Sequence, residues 1–319
     1  MAKTYSDLQR HALNGATMGT RWSALFHAPA RFNAGGLTAA LQAAVDEVDA
    51  EMSTYKPDSD LNRLNLSEPG NWVPLPTGLM TVLGAALVIG RASGGAFDIA
   101  MGDAVSAWGF SAAEADPEEI RKARARQRRP VADSLELDWQ NRRACRHDDA
   151  RFDLNGIAKG FGVDRLAEVA AQYGIFNGLF SIDGELRARG HLPDGQPWVV
   201  AIEAPDISKR SAHSVVELTD AAIATSGDYR HWISLGEHRL SHTMNPATGM
   251  PLVTSPASVT VISERSCMEA DAWATAMMVL GCEAGSVLAR QMGLSVLFLD
   301  RTGTRIGATG SFETMDELA

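Results

Sequence analysis

Asp271 and Thr275 stand four residues apart in the segment Ser266-Cys-Met-Glu-Ala-Asp271-Ala-Trp-Ala-Thr275. On a helix that spacing stacks a carboxylate and a hydroxyl one turn apart on the same face. Two hard oxygens so placed suit magnesium, which takes few protein ligands and completes its shell with water or substrate phosphate oxygens. Ser266 and Glu269 have the spacing of a capping box, so a helix is expected from about Cys267, with Gly281 marking its end. The same residues also fit a structural role, with Asp271 favouring the positive end of the helix dipole and Thr275 simply packing.

Asp153-Leu-Asn-Gly156-Ile-Ala-Lys159-Gly160-Phe-Gly162 reads as a strand handing over to a helix. Its glycine spacing is neither that of a Walker A loop nor that of the dinucleotide fingerprint. Glycines at a helix N-terminus nevertheless let backbone N–H groups approach an anion. Lys159 in the first turn opposes the helix dipole, so an anionic partner would explain it, as would a lysine snorkelling from a tight turn. His242 precedes Asn245-Pro246-Ala-Thr248-Gly249-Met-Pro251, a rigid turn after a strand, where an imidazole is placed to act as general base toward a hydroxyl. Tyr55 offers a ring for stacking or for packing. Ala96-Phe97-Asp98 lies in a small-residue turn, and Thr225-Ser226-Gly227-Asp228-Tyr229-Arg230 reads as a loop with hydroxyls and a guanidinium.

The elements that must carry these groups follow from periodicity. Thr20, Trp22, Ala24 and Phe26 predict a strand, and Leu37, Leu41, Val45, Val48 and Met52 recur at helical spacing. A second helix is predicted from Thr77 to Arg91, stopped by Ser93-Gly94-Gly95. From Ala112 to Arg129 the chain turns rich in Ala, Glu and Arg, with Pro117 fitting a helix start. This is read as a surface helical insertion near 112–130. Beyond it, strands are predicted over Leu135 to Trp139, Leu179 to Ile182, Trp198 to Ile202, Ser214 to Leu218, His231 to Leu235, Ser258 to Ile262 and Leu294 to Leu299. Helices interrupt them at about Ile157 to Tyr173 and from Cys267. Asp183-Gly184 and Gly236-Glu237 read as hairpin turns. Short turns between neighbouring strands imply an antiparallel sheet, hence α+β.

Composition excludes several classes. The 319 residues carry a net charge of −10, which argues against general binding to nucleic acid or anionic membrane. It also means that a phosphate-bearing ligand needs a metal ion and local cations. The three cysteines, Cys145, Cys267 and Cys282, form no CxxC pair, so neither a disulfide framework nor a zinc site is indicated. The longest apolar run, Leu79 to Ile89, is too short to span a bilayer, so no transmembrane segment is expected. No signal peptide is visible in the first twenty residues. The chain as written is expected in the cytoplasm, or in the periplasm if a leader is missing.

Taken in order, Met18-Gly19-Thr20, the Tyr55 segment, Ala96-Phe97-Asp98, Asp153 to Gly160, Thr225 to Arg230, His242 to Pro251 and Glu269-Ala-Asp271 to Thr275 resemble the ApbE family, the FAD:protein FMN transferases. The resemblance implies a largely antiparallel sheet flanked by helices in a T-fold-like architecture, in one domain over 15–312. It implies that FAD is bound with magnesium and that FMN passes to a threonine or serine hydroxyl of an acceptor protein, releasing AMP. The acceptor would carry a site of the form Asp-x-x-Ser/Thr-Gly-Ala-Thr. Flavin nucleotide contacts would come from Met18, Tyr55, Ala96, Phe97, Asp98, Asp153, Lys159 and Met244. Magnesium would be held by Asp271, Thr275 and a backbone oxygen of Gly156, with His242 as base. Asn155, Asp183, Asn245 and Ala274 depart from the family's commoner residues. The alternatives are a magnesium-dependent FAD pyrophosphatase yielding FMN and AMP, and a carrier or assembly factor that only holds FAD.

Overall fold

The structure, a computed structural model, describes residues 8–111, 114–229, 232–235, 238–253 and 256–315. The chain opens with a hairpin, β1 (Leu8–Thr17) and β2 (Thr20–Pro29), then α1 (Ala34–Met52), α2 (Asp60–Leu66), β3 (Trp72–Pro74) and α3 (Thr77–Ala92). Three short helices follow, α4 (Gly102–Ala107), α5 (Pro117–Ala125) and α6 (Val131–Ser134), and then β4 (Leu135–Asp138) and β5 (Arg143–Arg146). Next come α7 (Ala158–Gln172), β6 (Gly178–Ile182), β7 (Glu185–Arg189), β8 (Trp198–Glu203), β9 (Ala212–Leu218) and β10 (Ala222–Gly227). The remaining elements are β11 (Trp232–Leu235), β12 (His238–Ser241), β13 (Met244–Asn245), β14 (Met250–Pro251), β15 (Ser258–Ser263), α8 (Cys267–Met292), β16 (Ser295–Leu299) and β17 (Arg305–Thr309).

Eight strands form the principal sheet in the order β1-β2-β6-β7-β10-β15-β16-β17, and every neighbouring pair in it is antiparallel. The α+β expectation holds. Both faces of the sheet are covered, and β16 records this in its period of two. Val296 and Phe298 enter the core shared with α3 and α8, while Leu297 and Leu299 enter a second core roofed by the β8–β9 ribbon through Trp198, Val200 and Val216. A third cluster packs α1 and α7 against Trp22, Ala24 and Phe26 of β2. Those are the alternating positions read from the sequence.

Several expectations are corrected. β10 runs through Ala224-Thr225-Ser226-Gly227, which reads as a loop because small and hydroxyl residues carry little strand propensity; here pairing with β7 and β15 imposes the strand. No strand precedes the Asp153 segment directly: β5 ends at Arg146, and residues 147–157 wind in without regular structure other than turns. Gly281 does break its helix, with φ 73° and ψ 177°, but helical structure resumes beyond it to Met292. α8 has the length and mean hydropathy to cross a bilayer, yet it is broken at Gly281 and its first half packs on β10 and β15. The helix predicted after Pro117 exists, capped by Asp116, whose side chain accepts from the N–H groups of Glu118 and Glu119. It is less peripheral than expected, since Ala123 is buried against α4 and the turn at Gly249. The predicted Gly236-Glu237 turn lies outside the described residues.

Candidate active site

The N-terminus of α8 is built as its sequence predicts and then reinforced from another helix. Ser266 Oγ accepts from Glu269 N–H at 3.0 Å. The N–H groups of Cys267 and Met268 donate to the two carboxylate oxygens of Asp164 on α7, each at 3.0 Å. Asp164 is in turn paired with Arg187 of β7, whose guanidinium also donates to Arg265 O at 3.1 Å. Orphan helix donors are thereby satisfied and the first turn of α8 is pinned to the centre of the sheet.

Asp271, 4% exposed, projects from this anchored turn, and its Oδ2 accepts from Gly160 N–H at 3.0 Å. α7 and α8 meet so closely here that a Cβ on Gly160 would lie 2.4 Å from Cys267 O and 2.8 Å from Asp271 Cβ. One turn on, Thr275 Oγ1 lies 3.2 Å from Ser226 Oγ of β10. A Cβ on Gly156 would stand 2.8 Å from that same Thr275 Oγ1 and 3.4 Å from the Phe97 ring. Gly156, Asp271, Thr275 and Phe97 thus converge, although Phe97, Gly156 and the α8 pair come from three distant stretches of the sequence. Met18 joins them: it occupies the β1–β2 turn at φ 46°, a conformation that favours glycine, and its Cε would lie 3.4 Å from a Cβ on Gly162.

Among the described residues, Lys159 is the lysine that brings an ammonium to this corner. Nζ is 2.9 Å from Glu185 Oε1 and 3.6 Å from Asp183 Oδ2. Burial works against the charge on Lys159, but Glu185, Asp271 and Asp183 together outweigh it and hold its pKa well above the ordinary lysine value. The carboxylates feel the reverse. Burial raises Asp271 to about 6 despite Lys159, and raises Glu185 to about 7. Three carboxylates around one ammonium leave a local excess of two negative charges, which asks for protons or a divalent cation. One carboxylate, one hydroxyl and the backbone carbonyl of the neighbouring Gly156 are hard oxygen donors of the kind magnesium takes, and magnesium completes its shell with water and phosphate oxygens. Among the described residues no group of three or more His, Cys, Asp or Glu side chains is placed to hold a metal ion.

A second group of predicted residues lies around the 240–251 turn. β13 and β14 pair Met244 with Pro251 and Asn245 with Met250. Trp108 Nε1 donates to Gly249 O at 3.0 Å and fixes the ribbon. Met244, 6% exposed, packs with Trp108, Leu240 and Ala123, and Phe110 lies against this cluster. His242 is half-buried between β12 and β13. Tyr55 is exposed, its hydroxyl donating to Phe110 O at 3.3 Å, and burial followed by the charge of Asp153 raises the phenol above its ordinary pKa. Asp153 itself is buried, accepts from Asn155 N–H at 2.9 Å, and is raised to about 6 by burial.

The Ala96-Phe97-Asp98 turn is more structural than its motif implies. Phe97 is 3% exposed within the main core, and Ala96 is also buried there. Both oxygens of Asp98 accept from backbone, from Ala100 N–H at 2.7 Å and Val131 N–H at 3.1 Å. Glu185 and Asp164 were missed from sequence, whereas the Ser226 hydroxyl was noted there but placed in a loop. The signal for the first lay in Glu185-Leu-Arg187-Ala-Arg, where charges alternate on a central strand and so must point at partners in the helix layer.

A profile described as "ApbE family" matches residues 18–298. The chain is 35% identical over 306 residues to a FAD:protein FMN transferase of Vibrio cholerae, covering 94% of this chain and 91% of that protein. It is 34% identical over 308 residues to the protein of that name from Escherichia coli K12, covering 95% and 87%. Among solved structures, the flavin transferase ApbE from Vibrio cholerae superposes with a TM-score of 0.84 at 33% identity, covering 97% of this chain and all of that one. The apo flavinyl transferase ApbE of Pseudomonas stutzeri gives 0.83 at 33% identity, with 97% of each chain covered. A family profile over most of the sequence and relatives above 30% identity along nearly their whole length show that the chain belongs to the ApbE family.

Proposed function

We propose that the protein transfers the FMN moiety of FAD to a threonine or serine hydroxyl of an acceptor protein in a magnesium-dependent reaction that releases AMP. The observation that carries this reading is the convergence of Gly156, Asp271 and Thr275 beside the Lys159 ammonium, a charge arrangement suited to a pyrophosphate. The names of the relatives support flavin transfer to protein. The metal is supported by the oxygen donors gathered at Asp271, and the hydroxyl acceptor and AMP product are what the family resemblance implies.

In the reaction so read, the acceptor oxygen forms a bond to the FMN phosphorus as the anhydride P–O bond breaks, and that bond's electron pair leaves on AMP. Asp271, Thr275 and the Gly156 carbonyl would hold magnesium, which when bound supplies neutralisation of phosphate charge. Lys159 offsets the negative charge that grows on the leaving phosphate. His242 takes the proton of the acceptor hydroxyl, which is otherwise a poor nucleophile. Met18, Tyr55, Ala96, Phe97, Asp98, Asp153 and Met244 contact the flavin nucleotide together with Lys159.

Incubation with FAD and magnesium, with and without an acceptor peptide bearing an Asp-x-x-Thr-Gly-Ala-Thr site, tests the reading. Flavin fluorescence that survives denaturation of the peptide, with one AMP per flavin transferred, is expected. AMP released at equal rates with unlabelled peptide would instead identify a FAD pyrophosphatase, and bound FAD with no AMP a carrier.

A further inference from the structure

Glu185 has no part in the reaction as written above, yet it is the most deeply buried carboxylate beside the candidate site, at 2% exposure. It sits on β7 directly opposite Ile182 of β6, immediately after the Asp183-Gly184 turn, so its backbone is held by a central strand of the eight-stranded sheet. Ile182 belongs to the cluster beneath α1 and α7, so Glu185 points into the same helix layer. There its Oε1 meets Lys159 Nζ at 2.9 Å. Its other oxygen, Oε2, is buried with no hydrogen-bond partner among the described residues.

That half-satisfied state is informative. A carboxylate kept for stability alone is expected to have both oxygens engaged, because a buried acceptor without a partner is unfavourable. Asp164, five residues beyond Lys159 on α7, shows the contrast, since it bonds two backbone N–H groups and Arg187. Lys159, for its part, has a long flexible stem in the first turn of a helix whose dipole repels it. Released, its ammonium would swing to water.

Resting on the flavin-transfer reading, we propose that Glu185 is a positioning residue for that reaction. It tethers the Lys159 ammonium from the rigid floor of the sheet and holds it beside Asp271, where the pyrophosphate of a dinucleotide would lie. The tether makes Lys159 preorganised rather than recruited, so no ordering of its side chain is needed as charge develops.

The test is a double-mutant cycle with Glu185→Gln, Lys159→Ala and the pair, and with Glu185→Asp as a charge-preserving variant. Glu185→Gln is expected to lower kcat/KM for FAD about 10- to 100-fold, the range for losing a charge-assisted hydrogen bond. In the Lys159→Ala background the same substitution should change the rate by less than about twofold, because its effect passes through the missing ammonium. Acylation of Lys159 by an amine-reactive ester, followed by peptide mass spectrometry without FAD or metal, should quicken several-fold in Glu185→Gln and stay near wild type in Glu185→Asp. Additive losses in the cycle, or unchanged Lys159 labelling, would overturn the proposal. If Glu185→Gln does not fold, Glu185→Asp decides: slow labelling with activity above that of Lys159→Ala supports the tether, and fast labelling refutes it. Absence of transfer by the wild-type protein would sink the flavin reading, while the labelling rates would still report on the tether.

Discussion

At the scale of single residues, the proposed reaction gives Asp271 and His242 separable duties, so their substitutions should fail differently. Asp271 contributes the sole carboxylate of the proposed magnesium set and is buried at the foot of α8. Asp271→Ala is therefore expected to lower magnesium-dependent transfer by more than about 100-fold, since even outer-sphere losses at metal sites reach that range. His242 lies on a separate ribbon held by Trp108. His242→Ala should slow transfer by roughly 10²- to 10⁴-fold, as for loss of a general base, while FAD binding followed by fluorescence quenching stays within about threefold of wild type. Normal transfer rates in His242→Ala would remove the histidine from the mechanism. The pair Asp271 and Thr275 was legible because the cap at Ser266 sets the helix phase and the four-residue spacing then places both on one face. Glu185 was not legible, since its partner Lys159 is 26 positions away in sequence and meets it only after α7 folds back over β6 and β7.

At the scale of elements, the site depends on how closely α7 crosses α8. Sequence periodicity located both helices to within a residue or two at their starts, but it carried no information on their separation. Gly160 sets it, because an added Cβ would meet backbone atoms of Cys267 and the Cβ of Asp271, none of which is the free end of a flexible side chain. In an open helix Gly→Ala is favourable by about 0.5–1 kcal/mol. Here Gly160→Ala is expected to destabilise by about 1–3 kcal/mol through overpacking. It should also weaken magnesium dependence by shifting the N–H that orients Asp271. A urea midpoint equal to or above wild type would show that the two helices have slack to absorb a methyl group. β10 marks where reading by element failed outright: its small residues let α8 approach the sheet and bring Ser226 to Thr275, and those same small residues erased the strand signal.

At the scale of the whole molecule, the fold stores unfavourable charge at its centre, and this ties stability to pH and to the metal. Burial raises Asp153 and Asp271 from 3.8 to about 6, and Glu185 from 4.5 to about 7. A carboxyl raised on folding is protonated more readily in the native state, so its contribution is fully present below the unfolded value and is lost as pH rises through the folded value. The protein without metal should therefore become less stable from about pH 4 to pH 7. Magnesium held as proposed should reverse the trend, because it would bind the ionised form of Asp271 in the folded state alone. At about 100 times its dissociation constant, a ligand adds roughly 2.7 kcal/mol. For a chain of this size that corresponds to a rise of roughly 4 °C in Tm. Thermal melts at pH 5 and pH 7.5 with and without magnesium should show the larger shift at the higher pH. Asp271→Ala should abolish that difference, while Lys159→Ala should keep it, because the lysine does not ligate the ion. A magnesium shift of equal size at both pH values would mean that the ion binds elsewhere, and that the charge excess around Lys159 is met by protons instead.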